Sequence, residues 1–310
     1  SFSASNSSIE GSYIGTDPTG LLDKGNTGTG IGRAGTTMQH DTVGGVNPGQ
    51  RNIVSGNGEA GITSNTGSSD WVVKGNYVGL GADGLTPIPN SYVNGPGGLS
   101  LDNTDGIIVG GSEPGAVNVI SGNGAFGLFP DSTEDLVIQG NIIGPDWKGD
   151  PIPSSHQLGG IGFPPINGPF INTLVGGTNA GEGNLIAHNK GTGISLVSIY
   201  FGPTHVGDPN SISILGNKIF NNDTNSSYVL SESGLGIDLV SADMMTATLT
   251  SSGPTPNDPT DSDTGPNNYI NFPTLNSVTQ DGTTATINFN LDAADSPTDQ
   301  YRVEFFANDQ

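Results

Sequence analysis

The sequence predicts an all-β protein wound as a parallel β-solenoid, with a small antiparallel β segment near its C-terminal end, and three observations predict it. A phrase recurs at a fixed long interval: Asn52-Ile53-Val54-Ser55-Gly56-Asn57, Asn118-Val119-Ile120-Ser121-Gly122-Asn123 and Asn184-Leu185-Ile186-Ala187-His188-Asn189, so that the offsets 52 to 118 and 118 to 184 are both 66. Helical periodicity is missing, because no window of a dozen residues carries apolar positions at helical spacing without a Gly or Pro to break it. The apolar residues come instead in pairs and triplets between Gly, Asn and Ser, as strands of three or four residues require.

Residues 1–250 form the repeat region. Val-Gly-Gly introduces each copy of the phrase (Val43, Val109, Val175), and Gly-Ile or Gly-Leu closes it (Ile62, Leu128, Ile194). Interleaved is a second phrase, Val73-Lys74-Gly75-Asn76-Tyr77-Val78-Gly79, which echoes Ile9 to Gly15 and returns at Ile138 to Gly144 and, degraded, at Ile214 to Phe220. A third falls between them: Gly97-Gly98-Leu99, Gly159-Gly160-Ile161 and Leu235-Gly236-Ile237. Three strand-like phrases per unit predict about three coils per 66-residue unit, each of about 22 residues. Ten or eleven such coils at about 4.8 Å each make a rod on the order of 50 Å.

The corners follow from the residues between these phrases. Gly and Asn tolerate the left-handed backbone that sharp corners need. An Asn recurring at one place, as Asn52, Asn118 and Asn184 do, can satisfy the turn's backbone groups with its amide. The loops after the second phrase also align, which puts Asp17 and Asp146 in register at one edge. Asx-turn chemistry accounts for these two aspartates, with a weak cation site as the alternative.

Beyond the repeats the composition shifts. Met244 to Thr250 is placed as a cover over the last coil, whose edge would otherwise offer unpaired backbone groups. Residues 251–268 are an acidic Pro/Asp/Asn linker. Residues 269–310 hold the antiparallel part: Tyr269 to Pro273, Ala285 to Leu291 and Tyr301 to Phe306 read as strands, with clean alternation from Thr284 to Leu291 and a turn at Gln280-Asp281-Gly282-Thr283. Three strands are too few for a complete sandwich, which leads to the expectation of a fragment of a longer chain.

Composition narrows the function classes. The chain has 8 Lys plus Arg against 30 Asp plus Glu, a formal net charge of −22. Nucleic acid is excluded as a partner for such a surface, since affinity for it comes from neutralising phosphates. Self-repulsion that maintains solubility, or capture of a hard cation, fits the charge. The absence of Cys excludes disulfides, thiolate metal sites and Cys nucleophiles. No run approaches the length of a transmembrane helix, so no membrane-spanning segment is expected.

Gly-Asn-Tyr-Val-Gly with its Asp-containing Gly loop, Val-Gly-Gly, and Asn-Val-Ile-Ser-Gly-Asn together resemble the right-handed parallel β-helix repeats of large bacterial cell-surface and secreted proteins. The stretch Asn257 to Asn268, then Asn271-Phe272-Pro273 and Val303 to Asn308, is similar to the junction and partial immunoglobulin-like β-module that often follow them. The resemblance covers nearly the whole chain and is specific for architecture. It implies an extracellular or cell-surface location and a non-catalytic role as rod, stalk, adhesin, surface layer or fibre subunit, with other copies or neighbouring surface modules as partners. A minority of such proteins act on polysaccharides, which makes a glycan-binding or glycan-degrading enzyme the competing reading.

The residues offer little for that chemistry. A hydrolase of this kind needs carboxylates grouped at suitable separation. Asn103-Thr104-Asp105 superficially resembles one such motif, but no Asp-Asp pair or Gly-His-Gly follows it. His40, His156, His188 and His205 have no short-range partners, His188 reads as a turn substitution, and no Gly-x-Ser-x-Gly elbow supports a Ser-His-Asp triad. The best metal candidate is Asn257, Asp258, Asp261 and Asp263, spaced to wrap a hard cation such as Ca2+ and stiffen the joint, against a plain solvated linker. Trp147, Tyr200 and Phe201 are the aromatic candidates for stacking on glycans, with packing against a neighbouring coil as the alternative.

Overall fold

A computed structural model gives the fold and describes residues 5–32, 39–64, 66–91, 96–223, 234–246, 248–251, 254–259, 261–292 and 301–305. Three long parallel sheets carry most of the chain, and a two-stranded antiparallel sheet lies beyond them. The first sheet stacks Ser8–Ile9, Thr42–Gly44, Val72–Lys74, Ile108–Gly110, Val137–Gln139, Thr173–Gly176 and Ile212–Leu215. The second stacks Tyr13–Ile14, Ile53–Val54, Tyr77–Val78, Val119–Ile120, Ile142–Ile143, Leu185–Ala187 and Lys218–Phe220. Ile62–Ser64, Leu99–Asp102, Phe126–Asp131, Gly159–Phe163, Ile194–Phe201 and Ile237–Asp243 make the third, closed by the antiparallel strand Thr248–Ser251. That closing strand lies where the sequence put a cover over the last coil.

Successive strands visit the three sheets in rotation, and the register shows how the repeat is spent. The expectation of three coils per 66 residues is corrected to two circuits, because the second phrase spans two strands and a complete circuit takes about half the repeat. Circuits of two kinds alternate. One passes from the first sheet to the second through two residues only (Gly75-Asn76, Gly140-Asn141, Gly216-Asn217) and then takes a long connection to the third sheet, at 79–98, 144–158 and 221–236. The other takes a long first connection (45–52, 111–118, 177–184) and a short second one (55–61, 121–125, 188–193). Only a pair of circuits repeats, so the sequence period is twice the structural one.

In strands this short, alternation points one or two residues inward per strand, as Leu99 and Leu101 both do. Val73, Val109 and Ile138 do so from the first sheet, Val78, Ile120 and Ile143 from the second, and Leu99, Leu128 and Ile161 from the third; all are fully buried and join one continuous core. Each contributes about 1.5–3 kcal/mol by leaving water.

The corners are held by two side-chain amide ladders. At the first corner Asn52, Asn76, Asn118, Asn141, Asn184 and Asn217 stack in a file, each Nδ2 donating to the Oδ1 of the next at 2.9–3.0 Å. The second Nδ2 hydrogen goes to a carbonyl of the preceding circuit, as in Asn118 to Val73 O at 2.8 Å. The second corner repeats the device with Asn57, Asn90, Asn123, Gln157, Asn189 and Asn222. Buried backbone and side-chain polar groups are thereby paired with each other.

The C-terminal segment departs from expectation. Of the three predicted strands, only Thr284–Asn290 is one; it pairs antiparallel with Thr274–Asp281, which the sequence had not singled out. Residues 269–273 and 301–305 are not strands, and Phe306 lies outside the described residues. Tyr269 ends a 3-10 turn with φ of 50°, and Asn271 turns inward to bond Asp258 and Asp292, so this stretch is used as a clasp. Part of the expected linker rests on the last circuit: Asn267 Nδ2 donates to Ile212 O at 2.8 Å, covering an edge of the first sheet.

Candidate functional site

The corner where the chain leaves the third sheet for the first brings acidic side chains of neighbouring circuits side by side. A residue with left-handed backbone makes the turn in each circuit, among them Asp70, Gly106, Asp135 and Asn172, with φ of 56°, 64°, 50° and 52°. Asp and Asn suit that conformation because their short side chains hydrogen-bond locally. Just ahead of the turn, two neighbouring circuits bring acids into register, Asp102 beside Asp131 and Asp105 beside Glu134. A groove of about 410 Å³ lies along the Asp105 and Glu134 pair, lined by Ser69, Asn103, Asp105, Ser132, Glu134 and Asn167 among others, while Asp102 and Asp131 are outside its lining.

Asp131 is 6% exposed and saturated with donors. Its Oδ1 accepts Ser132 Oγ and the backbone N–H groups of Ile166 and Asn167 at 2.8, 2.8 and 3.1 Å, and its Oδ2 accepts Asn167 Nδ2 at 2.7 Å. It anchors the segment around Asn167. Asp102 receives only the same Asn167 amide, at 3.1 Å. Burial, and then the charge of Asp131, push the Asp102 carboxyl above its usual range, with the Asn167 hydrogen bond pulling the other way. Among the described residues no Lys or Arg forms an ion pair with any of these acids.

The sequence reading missed this array because its two halves, Asp102-Asn103-Thr104-Asp105 and Asp131-Ser132-Thr133-Glu134, are offset by one circuit. A search at the 66-residue period cannot align them. The recurrence of acid, two residues of which the second is Thr, then acid was the available signal.

The aromatic candidates fall in two places. Trp147 sits on the long loop outside the second sheet, 46% exposed, packed over Gly84 with Lys148 Nζ 5.7 Å from its ring centroid. Tyr200 and Phe201 end the long strand of the third sheet, in a hairpin with Thr204–Gly207. Tyr200 stacks on His205 at 4.7 Å between centroids, and Phe201 is 42% exposed. The same hairpin brings Ser198, Asp208 and His205 together, but the Ser198 hydroxyl donates to the carboxylate, which His205 Nε2 also meets at 3.0 Å. With the carboxylate in the middle, nothing deprotonates the hydroxyl; the trio fastens the hairpin.

At the C-terminal junction Asn257 and Phe272 exchange two hydrogen bonds, of 2.8 and 3.0 Å. Asp258 Oδ2 accepts Ser262 N–H and Oγ at 3.1 and 2.7 Å, while its buried Oδ1 has no donor. Asp261 Oδ1 accepts Asn271 N–H at 2.8 Å. Asn257, Asp258 and Asp261 thus gather about Asn271 and Phe272, and Asp263 makes none of these contacts. No three His, Asp or Glu side chains among the described residues converge as a metal set.

The repeated-loop aspartates do structural work. Asp17 Oδ1 accepts Thr19 Oγ1 at 2.7 Å and the N–H groups of Leu21 and Leu22 at 3.1 Å; the Thr19 hydroxyl first, then these N–H groups, hold its carboxyl below the usual range. Asp146 Oδ1 closes its loop through Lys148 and Asp150 N–H, at 2.8 and 3.0 Å. In the middle copy the same task falls to Asp83, which accepts Leu85 and Thr86 N–H at 2.9 Å. No protein-family model, no curated protein sequence and no solved structure matches this chain.

Proposed function

We propose that this chain is a right-handed parallel β-helix serving as a non-catalytic extracellular rod that spaces or presents other modules at a cell surface. The observation that supports it most is the pair of amide ladders: the recurring Asn residues that mark the sequence are consumed in binding one circuit to the next. Seven circuits at about 4.8 Å give an axial length of roughly 30 Å for the stack. Ca2+ held at Asp258 and Asp261 would stiffen the junction, a role that the donor-free Oδ1 of Asp258 favours. Antibody labelling of intact producing cells tests the location, and a purely internal signal would defeat the proposal.

One observation favours a second reading, a polysaccharide-acting site: Asp102 and Asp131 are paired carboxylates on adjacent strands, and burial followed by the charge of Asp131 raises the Asp102 carboxyl above its usual range. Against it stands Asp131, whose lone pairs are engaged by four donors. Release of reducing sugar from a polysaccharide panel, abolished in Asp102→Asn, would establish the enzyme and displace the rod.

A further inference from the structure

The outer face of the first sheet carries an apolar stripe. Val72, Ile108, Val137 and Leu174 lie in register on four consecutive strands, their side chains directed away from the core, with Ile108 39% exposed. Parallel sheets ordinarily have both faces covered. Here Ile108 is exposed and Val72, Val137 and Leu174 are half-buried, whereas the second sheet has its outer residues Tyr77 and Val119 packed under Leu80 and Ile152.

Along one margin of the stripe runs the acidic corner. Asp70, Asp105, Glu134 and Asp135 are exposed there, two or three residues ahead of the stripe residue of their own circuit. His40 lies 3.5 Å from Asp70, and among the described residues no Lys or Arg pairs with any of the four. The face therefore combines negative charge that no Lys or Arg among the described residues pairs with and apolar surface that is partly open to water.

We propose that this face docks a basic amphipathic polypeptide segment, with Lys or Arg side chains against the acidic corner and apolar side chains on the stripe. A bare metal ion fits less well, because no three acids among the described residues converge on a point. A polyamine would satisfy the charge and leave the stripe in water. Nucleic acid is repelled. A polypeptide supplies both kinds of group at spacings of a few ångströms, near the rung separation of about 4.8 Å. This goes beyond the rod reading, which names no partner chemistry, and it stands or falls separately from that reading.

The test uses the full chain and three probes: a soluble peptide alternating Lys with Val, one of the same charge alternating Lys with Ser, and CaCl2. Fluorescence anisotropy is expected to show the Lys/Val peptide binding about tenfold tighter than the Lys/Ser peptide. Ile108→Ser should remove that advantage and leave Lys/Ser binding as it was. Asp105→Asn with Glu134→Gln should weaken both peptides about tenfold or more, and the remote pair Glu59→Gln with Asp281→Asn should weaken neither. Circular dichroism checks that each variant keeps its fold, and Val137→Thr replaces Ile108→Ser should the latter not. Equal binding of the two peptides, equal loss in the remote pair, or stoichiometric Ca2+ binding that blocks the peptides would overturn the proposal.

Discussion

Asn118 Nδ2 donates to Asn141 Oδ1 at 2.9 Å, although one residue belongs to the first repeated phrase and the other to the second. The two phrases are therefore alternate versions of one corner. This contact places the chain's circuits, and its loss should be felt along the whole stack.

Asn118→Ala removes acceptors for Asn76 N–H and Nδ2 and donors to Val73 O and Asn141 Oδ1, all buried. Leaving such groups unsatisfied costs about 1–3 kcal/mol each, so a loss of at least ~3 kcal/mol is expected in urea denaturation. An Asn118→Asp chain, which keeps the acceptors and loses the donors, should fall in between at neutral pH only if its charge is relieved.

Gly110 has φ of 86°, and a Cβ there would lie 2.0 Å from Gln139 O. Gly110→Ala should cost about 1–2 kcal/mol from the backbone alone and more from the overlap. Gly49, where an added Cβ would meet nothing within 4 Å, is the control, and Gly49→Ala should leave the thermal midpoint unchanged.

Asp102 has its carboxyl raised in the folded chain, so the fold binds that proton more tightly than the unfolded state does. The charge is a burden at neutral pH, relieved as pH falls through the raised value toward 3.8. Asp102→Asn should accordingly raise the thermal midpoint at pH 7, and the gain should shrink across that window. A gain that persists unchanged at pH 3 would argue against the mechanism.

His188 runs the other way in sign. Burial lowers its pKa below 6.5, opposed by the charge of Asp150, and its ring meets Phe220 edge-on at 5.8 Å. Stability tied to the neutral ring is present above pH 6.5 and is lost as pH falls from there through the lowered value. Denaturation midpoints of His188→Gly should be flatter than wild type over that range.

Calorimetric titration with CaCl2 addresses the junction. Heat that saturates in the wild-type chain and disappears in Asp261→Asn would support Ca2+ there, and no heat in either would remove it. Independently of metal, Asn271→Ala should quicken proteolysis after the last circuit, because Asn271 ties together Asp258, Asp261 and Asp292.

All-β composition, parallel stacking and the role of the corner asparagines were legible in the residues, since short apolar runs and Gly/Asn corners reflect local geometry. The number of circuits was not. Val73 to Gly79 reads as one phrase, yet it turns a corner at Gly75-Asn76 and contributes to two sheets. The acidic array was hidden for the same reason, because Asp102 meets Asp131 at a spacing that the repeat does not carry.

By itself, the chemistry of the residues determined that the backbone would run in short strands, bend at Gly and Asn, and bury one or two apolar side chains per strand; each of these follows from torsional freedom and solvation at single positions. Only the tertiary structure decided which strand lies over which. A short corner on one circuit faces a long one on the next, and it is the stacking of circuits that sets Asn118 beside Asn141, Asp102 beside Asp131 and Ile108 beside Val137.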